Sequence, residues 1–152
     1  MKYLYSLMLL LPLLFALPTA RAAPTDASGS FTASDPVVTG TRTAGGNTII
    51  TQNVMFALSG TFTGPCVGTE TDILRADGGF TFQGKCNFTG TIGGRSGTAV
   101  IIDRGAASRS GFQGHFASLG ASGGLEGLHL WGTFQVTGPG TGTYSGHYFF
   151  DR

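Results

Sequence analysis

The sequence predicts an all-β protein, an eight-stranded antiparallel up-and-down β-barrel, with a β-sandwich as the alternative. Glycine supplies 26 of the 152 residues, more than twice its usual share of about 7%. These glycines lie among Thr, Phe, Val and Ile, as in sheets with tight turns. Apolar and polar residues alternate with a period of two, and no helical period is visible after residue 25.

The alternation is clearest from Phe80 to Ile92, where Phe and Gly occupy one face and Thr, Gln, Lys and Asn the other. Similar segments are separated by turn signals such as Asp77-Gly78 and Gly138-Pro139-Gly140. Closing such a meander removes both exposed edges of the sheet. The predicted strands are Ser28–Ser34, Asn47–Thr63, Val67–Ala76, Gly79–Ile92, Thr98–Arg104, Gly111–Leu119, Leu125–Val136 and Gly140–Asp151.

The N-terminal segment has the pattern of a secretory signal peptide. A basic residue precedes an apolar run that ends in Ala20-Arg21-Ala22, so we expect residues 1–22 to be removed before Ala23. The rest is predicted to comprise a flexible leader at 23–27 and a single barrel domain at 28–152, with a loop over Asp35–Gly46. The predicted location is therefore outside the cell or in the periplasm, with no membrane attachment after cleavage.

Charge gives no indication of a polyanionic partner. Nine basic and eight acidic residues are spread along the chain without a cluster, whereas nucleic acids and acidic lipids select basic faces. We therefore expect a neutral or small-molecule partner, no nucleic acid and no cofactor.

The two cysteines, Cys66 and Cys86, are predicted to form a disulfide, because an exported chain meets an oxidising environment. Two free thiols or a pair of metal ligands are the alternatives. A simple hairpin that turns at Asp77-Gly78 does not place the cysteines directly opposite each other, and Pro65 could provide a bend that brings them together.

The segment GTIGGRSGT, from Gly90 to Thr98, has the composition of an active-site loop. It is one residue short of the G-x-S-x-G nucleophile motif and is followed by a strand instead of a helix. It also lacks the Gly-Lys-Ser/Thr of a phosphate-binding loop. We interpret it as a hairpin turn with Arg95 and Ser96 exposed near its tip, beside the barrel mouth if either has a function.

Three histidines, His115, His129 and His147, lie near the middle of the last three predicted strands. Simple hairpins that pivot at Ser122 and Gly138 would place them nearly side by side, where three imidazoles could hold zinc or copper. The histidines alternate with the apolar set, however, so an outer polar surface is the ordinary interpretation.

Trp131 has the same parity as His129 and is predicted to be an exposed aromatic or part of a homo-oligomer interface.

Asn87 is the only asparagine in a glycosylation motif, which matters only in a eukaryotic host.

Catalytic carboxylates are not evident. Glu70, Asp72, Asp103 and Glu126 lie in or beside strands, but no pair shows the close placement that acid–base chemistry needs. Glu70 and Asp72 share a face, for which a charged surface strand is the ordinary explanation.

Several segments together resemble a known family. They are GTFTGPCVGTETDILRADGGFTFQG, then FTGTIGGRSGTAVI, then GLEGLHLWGTFQVTGPGTGTYSGHYFF. The chain from about Thr61 to Phe150 resembles a family of small uncharacterised proteins with the allene oxide cyclase-like barrel fold. The resemblance implies a central cavity, as in plant allene oxide cyclases and dirigent proteins, and implies no specific catalytic residue. The signal peptide and the two cysteines depart from the family's pattern.

The predicted function is binding of a small apolar molecule in the lumen of the barrel, because inward glycines leave room beside aromatic rings. A cyclase or isomerase that folds its substrate by shape is one alternative. A secreted structural or interaction protein with a filled barrel is the other. The predicted lining residues are Phe56, Phe82, Phe88, Phe116, Leu130 and Tyr148.

Overall fold

The structure, a computed structural model, describes residues 23–108 and 111–151. Within these ranges every regular element is a β-strand, and no helix is long and apolar enough to cross a membrane. The predicted signal peptide, residues 1–22, lies outside the described residues. The strands are β1 (Thr25–Ala33), β2 (Val37–Ala44), β3 (Asn47–Gly60), β4 (Phe62–Leu74), β5 (Phe80–Ile92), β6 (Arg95–Ser108), β7 (Gly111–Gly123), β8 (Leu128–Gly138) and β9 (Thr141–Phe150).

Eight of these strands close into an antiparallel barrel, which confirms the predicted fold class. Strands β3 to β9 follow one another as a meander, and β1 closes the barrel by pairing with both β9 and β3. The β1–β3 ladder joins Gly29 to Gly60 and Ala33 to Phe56, so it uses only the C-terminal part of β3. Closure leaves these strands without a free lateral edge where they pair.

Strand β2 is a ninth strand outside the closed ring, and the loop predicted over Asp35–Gly46 is wrong in this part. It pairs with the N-terminal part of β3, from Val37 opposite Asn53 to Ala44 opposite Asn47. Every residue of β2 is exposed, so neither face is buried. A strand of this kind carries no alternation of apolar and polar residues, which explains why the sequence pattern did not indicate it.

The prediction of a flexible leader over residues 23–27 is wrong from Thr25 onwards. Thr25 to Ala27 form the beginning of β1 and pair with Tyr148 to Gly146 of β9. The side chain of Ala27 is buried, because it faces the hydrophobic core of the barrel.

Side-chain direction follows the predicted alternation along the strands. On β5, Phe82, Cys86, Phe88 and Ile92 are buried, whereas the intervening Gln83, Lys85, Asn87 and Thr89 are exposed. The GTIGGRSGT segment forms the β5–β6 hairpin, as predicted: Gly93 and Gly94 have φ angles of 57° and 83°. Two successive positive φ angles are typical of a type I′ hairpin turn, and glycine adopts them with the least strain.

Candidate functional site

The two ends of the barrel differ in how they are filled. We call the end with the β3–β4, β5–β6 and β7–β8 connections the closed end, because the β7–β8 connection folds Leu125 over it with a fully buried side chain. Phe62, Phe88 and Ile92 lie beneath it and are also nearly inaccessible. The other end, with the β4–β5 and β8–β9 connections, we call the open end.

Tyr144 separates the two halves of the barrel. Its ring stacks on Phe62 with centroids 4.6 Å apart. Its hydroxyl accepts a hydrogen bond from the Phe62 amide at 2.8 Å and donates one to the Ser59 carbonyl at 3.0 Å. Burial raises the pKa of Tyr144, so this hydroxyl stays protonated at neutral pH. It is a fixed structural contact at the floor of the open half.

The open half contains a cavity of about 270 Å³. Its lining begins at buried residues such as Phe62 and Cys66 and reaches exposed residues such as Pro36 and Gly140, so the cavity opens to solvent between the strand ends. Aromatic rings are the largest group of side chains in its wall, and they come from seven strands. They are Phe31, Phe56, Phe62, Phe80, Phe82, Phe112, Phe116, Phe134 and Tyr144.

Inward glycines allow these rings to lie flat against the wall. The ring of Phe82 occupies the space where a Cβ of Gly105 would project, and Phe134 does the same at Gly114. The rings then meet edge to face, as Phe31 does with Phe56 at 5.9 Å between centroids. The glycines therefore make room for the aromatic wall, and the cavity is what the wall encloses.

Cys66 and Cys86 form a disulfide, as predicted, and it lies at the inner end of the cavity wall. In the β4–β5 ladder Cys66 is opposite Phe88 and Cys86 is opposite Gly68, so the cysteines are diagonal neighbours. Their Cα atoms are 5.4 Å apart, within the range that a disulfide spans. Gly68 permits the close approach of the strands, since a Cβ there would collide with the backbone at Lys85 and Cys86.

The predicted lining residues divide between the two halves. Phe56, Phe82 and Phe116 lie on the cavity wall. Phe88 and Leu130 are instead buried in the core, and Tyr148 packs against that core. All six project inward, as their parity predicts, but the last three fall outside the lining of this cavity.

Acidic side chains interrupt the aromatic wall. Gln52 on β3 lies opposite Glu70 on β4, and its Nε2 donates to Glu70 Oε1 at 3.0 Å and to Asp72 Oδ2 at 2.9 Å. Burial, followed by repulsion from Asp72, raises the pKa of Glu70 to about 7. Burial also raises the pKa of Asp72. This carboxyl pair therefore holds a proton to a higher pH than two exposed carboxylates would.

Asp103 on β6 adds a third inward carboxyl group. It lies opposite Gly84 of β5, which lies opposite Glu70 of β4, and its carboxylate occupies the space beside Gly84. Burial raises its pKa to about 6. With strands about 4.8 Å apart, Glu70 and Asp103 stand about 10 Å apart at the backbone and face the same cavity.

The sequence interpretation missed these groups, although a signal was present. Glu70 and Asp72 have the same parity on β4 as Phe62 and Cys66, and Asp103 has the parity of Ile101. The expectation of a charged surface strand is wrong, because Asp72 is only 7% exposed and Glu70 and Asp103 line the cavity. The alternation along the strands predicts that these side chains point inward, whereas their charge suggests an exposed position.

The three histidines do not stand side by side. His115 lies opposite Thr133, and His147 lies opposite Trp131, so the pivots differ from the predicted ones at Ser122 and Gly138. His129 Nε2 contacts Asp151 Oδ2 at 2.9 Å, and His147 Nδ1 contacts Asp26 Oδ1 at 3.1 Å. Over residues 23–108 and 111–151, no three His, Cys, Asp or Glu side chains are placed to hold a metal ion.

Trp131 lies on the outer face and is 40% exposed. Its ring is 5.7 Å from that of His147 and 6.1 Å from that of Phe149, so it belongs to a small aromatic group on β8 and β9. Its predicted part in a homo-oligomer interface stays a prediction.

A solved structure shows the same fold. It is the crystal structure, at 1.84 Å resolution, of a protein with unknown function from the DUF3224 family of Shewanella oneidensis MR-1. The match has a TM-score of 0.73 and 17% sequence identity, and it covers 86% of this chain and 99% of that chain. No family model matches the sequence, and no curated protein matches it either. The likeness agrees with the predicted resemblance to uncharacterised barrel proteins; the allene oxide cyclase-like class stays a prediction.

Proposed function

We propose that this protein is an exported binding protein whose open half holds one small, largely apolar molecule. The observation that carries this proposal is the cavity of about 270 Å³, which is lined mainly by apolar side chains, nine of them aromatic, and opens at one end of the barrel. Binding sites for small molecules are typically concave and apolar, with few polar groups. A filled barrel is disfavoured, because packing is complete only at the closed end.

The volume limits the size of the ligand. An apolar cavity of about 150 Å³ holds one benzene molecule. The open half therefore has room for a single molecule of roughly twice that size, such as a substituted aromatic ring.

Export is supported by the disulfide and by the N-terminal sequence pattern. A buried disulfide within one domain is typical of chains that fold in an oxidising compartment. The predicted cleavage before Ala23 would place the mature N-terminus just before β1.

A cyclase or isomerase is the second candidate, and the inward carboxyl groups favour it. A general acid or base works best when its pKa lies near the working pH. Glu70, with a pKa raised by burial to about 7, meets this condition inside an apolar cavity. Substrate folding against the aromatic wall would supply the proximity.

The test of binding uses phenylbutanol, a neutral ligand of suitable size, in titration calorimetry. Val54→Trp fills the cavity, and Met55→Trp places the same ring on the outer face of the same strand. We expect the wild type and M55W to bind and V54W to lose at least about tenfold in affinity. Equal affinity of the two variants would contradict binding in the lumen.

Native mass spectrometry of the protein purified from its own host tests the natural ligand. A retained mass that disappears in V54W and persists in M55W would support the proposal. Turnover of such a ligand by the wild type, with loss in Glu70→Gln, would favour the second candidate instead.

A further inference from the structure

The polar groups of the cavity wall form one row across four neighbouring strands. Gln52 on β3 lies opposite Glu70 on β4, Glu70 opposite Gly84 on β5, and Gly84 opposite Asp103 on β6. Gly84 has no side chain, and the Asp103 carboxylate lies in the space beside it, on the side of the strand that faces Glu70. Glu70 and Asp103 therefore present two carboxyl groups of the cavity wall to one small polar group.

No positively charged side chain of the described residues lies on the cavity side of these acids. The lining of the cavity contains no Lys, Arg or His. Both ion pairs found among residues 23–108 and 111–151 lie elsewhere, at His129–Asp151 and His147–Asp26. A buried carboxylate without a counter-ion is costly, and a bound cation would remove that cost.

Hydrogen-bond donors are also too few for these acceptors. Gln52 Nε2 supplies its two N–H groups to Glu70 Oε1 and Asp72 Oδ2. Asp72 is only 7% exposed, and its Oδ1 has no hydrogen-bond partner among the described residues. Gln52 has no further side-chain N–H group to offer, so the carboxyl oxygens of this row outnumber the side-chain donors beside them.

We propose that the ligand of this cavity is a small primary amine, bound in its protonated form with its ammonium group between Glu70 and Asp103. This inference rests on the proposed binding function. An ammonium group supplies three N–H donors and the missing positive charge. Its apolar body lies against the Phe rings, whose faces also attract a cation. Carboxylate ligands are repelled, and neutral alcohols lack the charge.

Binding of the amine should weaken at low pH. The groups that face Glu70 are Gln52 and Asp72 from β3 and β4, Gly84 from β5 and Asp103 from β6. An alkylamine titrates near pH 10 and stays protonated throughout, whereas Glu70 and Asp103 gain protons near pH 7 and 6. Charged neighbours on the outer face are Lys85 and Arg104, with His115 beside them.

The experiment compares three ligands with the same apolar body: phenylbutylamine, phenylbutanol and phenylbutyrate. In calorimetry on the wild type at pH 8, we expect the amine to bind at least about tenfold more tightly than the alcohol, and the carboxylate to bind weakest. From pH 8 to pH 5 the amine should lose most of this advantage, while the affinity of the alcohol stays constant.

Variants assign the preference to the carboxyl groups. The double variant Glu70→Gln/Asp103→Asn keeps the shape of both side chains and removes their charge. It should bind the amine no more tightly than the alcohol, and its affinity for the alcohol should equal that of the wild type. Glu126→Gln, an exposed site at the closed end, is the matched control and should behave as the wild type. If the alcohol binds as tightly as the amine, the amine inference is wrong and lumen binding stands. If none of the three binds, the proposed function fails as well.

Discussion

The closed and open halves of the barrel are built from the same strands with the same alternation, yet one is packed and the other encloses a cavity. On β5, Phe88 is fully buried at the closed end and Phe82, six residues away, lines the cavity. Leu125 makes the difference, because the β7–β8 connection inserts it between the walls. No residue has a corresponding position in the described part of the open half.

The two halves also differ in polarity. The closed half buries apolar side chains, and the Tyr144 hydroxyl at the boundary of the two halves has hydrogen-bond partners on the backbone. The open half has three inward carboxyl groups, of which that of Asp72 is buried, and the Gln52 amide pairs with two of them. Stability is therefore concentrated at one end, whereas the other carries unpaired acceptors, an arrangement typical of binding sites.

The largest expected effect tests where the stability lies. Phe88→Ala should lower the free energy of unfolding by about 4 kcal/mol, because a fully packed ring leaves a cavity when removed. Phe112→Ala, at the 41% exposed rim of the open end, should cost no more than about 1 kcal/mol. Urea unfolding measures both, and similar losses would contradict the division into two halves.

The disulfide gives the next largest effect. It closes a loop with a sequence separation of 20 residues, so replacing both cysteines with alanine should cost about 3 kcal/mol on the chain-entropy model. Urea unfolding of C66A/C86A measures the loss, and wild type treated with reductant in denaturant is the control. An unchanged midpoint would show that the barrel closure alone constrains β4 and β5.

The open half should make stability depend on pH. Folding raises the pKa of Glu70 from 4.5 to about 7, so the folded protein holds this proton more tightly than the unfolded chain. The free energy of unfolding should therefore fall as pH rises from about 5 to 8, by on the order of 2 kcal/mol for Glu70. Asp103, with a pKa raised to about 6, acts in the same direction.

Glu70→Gln isolates this contribution. The variant should be more stable than wild type at pH 8 and similar at pH 5, as measured by urea unfolding at both values. Glu126→Gln is the control, because its side chain is exposed at the closed end. If E70Q retained the wild-type pH slope, the slope would have to come from other groups, and the burial argument for Glu70 would be wrong.

The sequence predicted the barrel and the inward face well, because alternation depends only on local parity. Register was less predictable, since bulges interrupt the ladders between Val100 and Ile101 and between Val136 and Gly138. The histidines were misplaced because the β7–β8 and β8–β9 ladders are centred near residues 124 and 139 instead of Ser122 and Gly138. Strand β2 was missed because both of its faces are exposed.

The candidate site was only partly predictable from the sequence, and the reason differs from that for the register. Parity shows that Phe82 and Phe88 project inward, but it does not show which of them packs against Leu125. That depends on a connection between two other strands. The carboxyl groups of Glu70 and Asp103 were visible in the alternation, and only the assumption that charge marks the outer face concealed them.

The smallest expected effect concerns the β5–β6 turn, which the sequence interpretation placed beside the barrel mouth if it had a function. The structure places it at the closed end, where the Arg95 guanidinium lies 4.1 Å from the centroid of the Phe150 ring. Arg95→Ala removes this exposed contact and should cost no more than about 1 kcal/mol. Its affinity for phenylbutanol should equal that of the wild type, because the packed core lies between the turn and the cavity. A change of tenfold or more in affinity would show that the two halves are coupled through the Tyr144 and Phe62 stack.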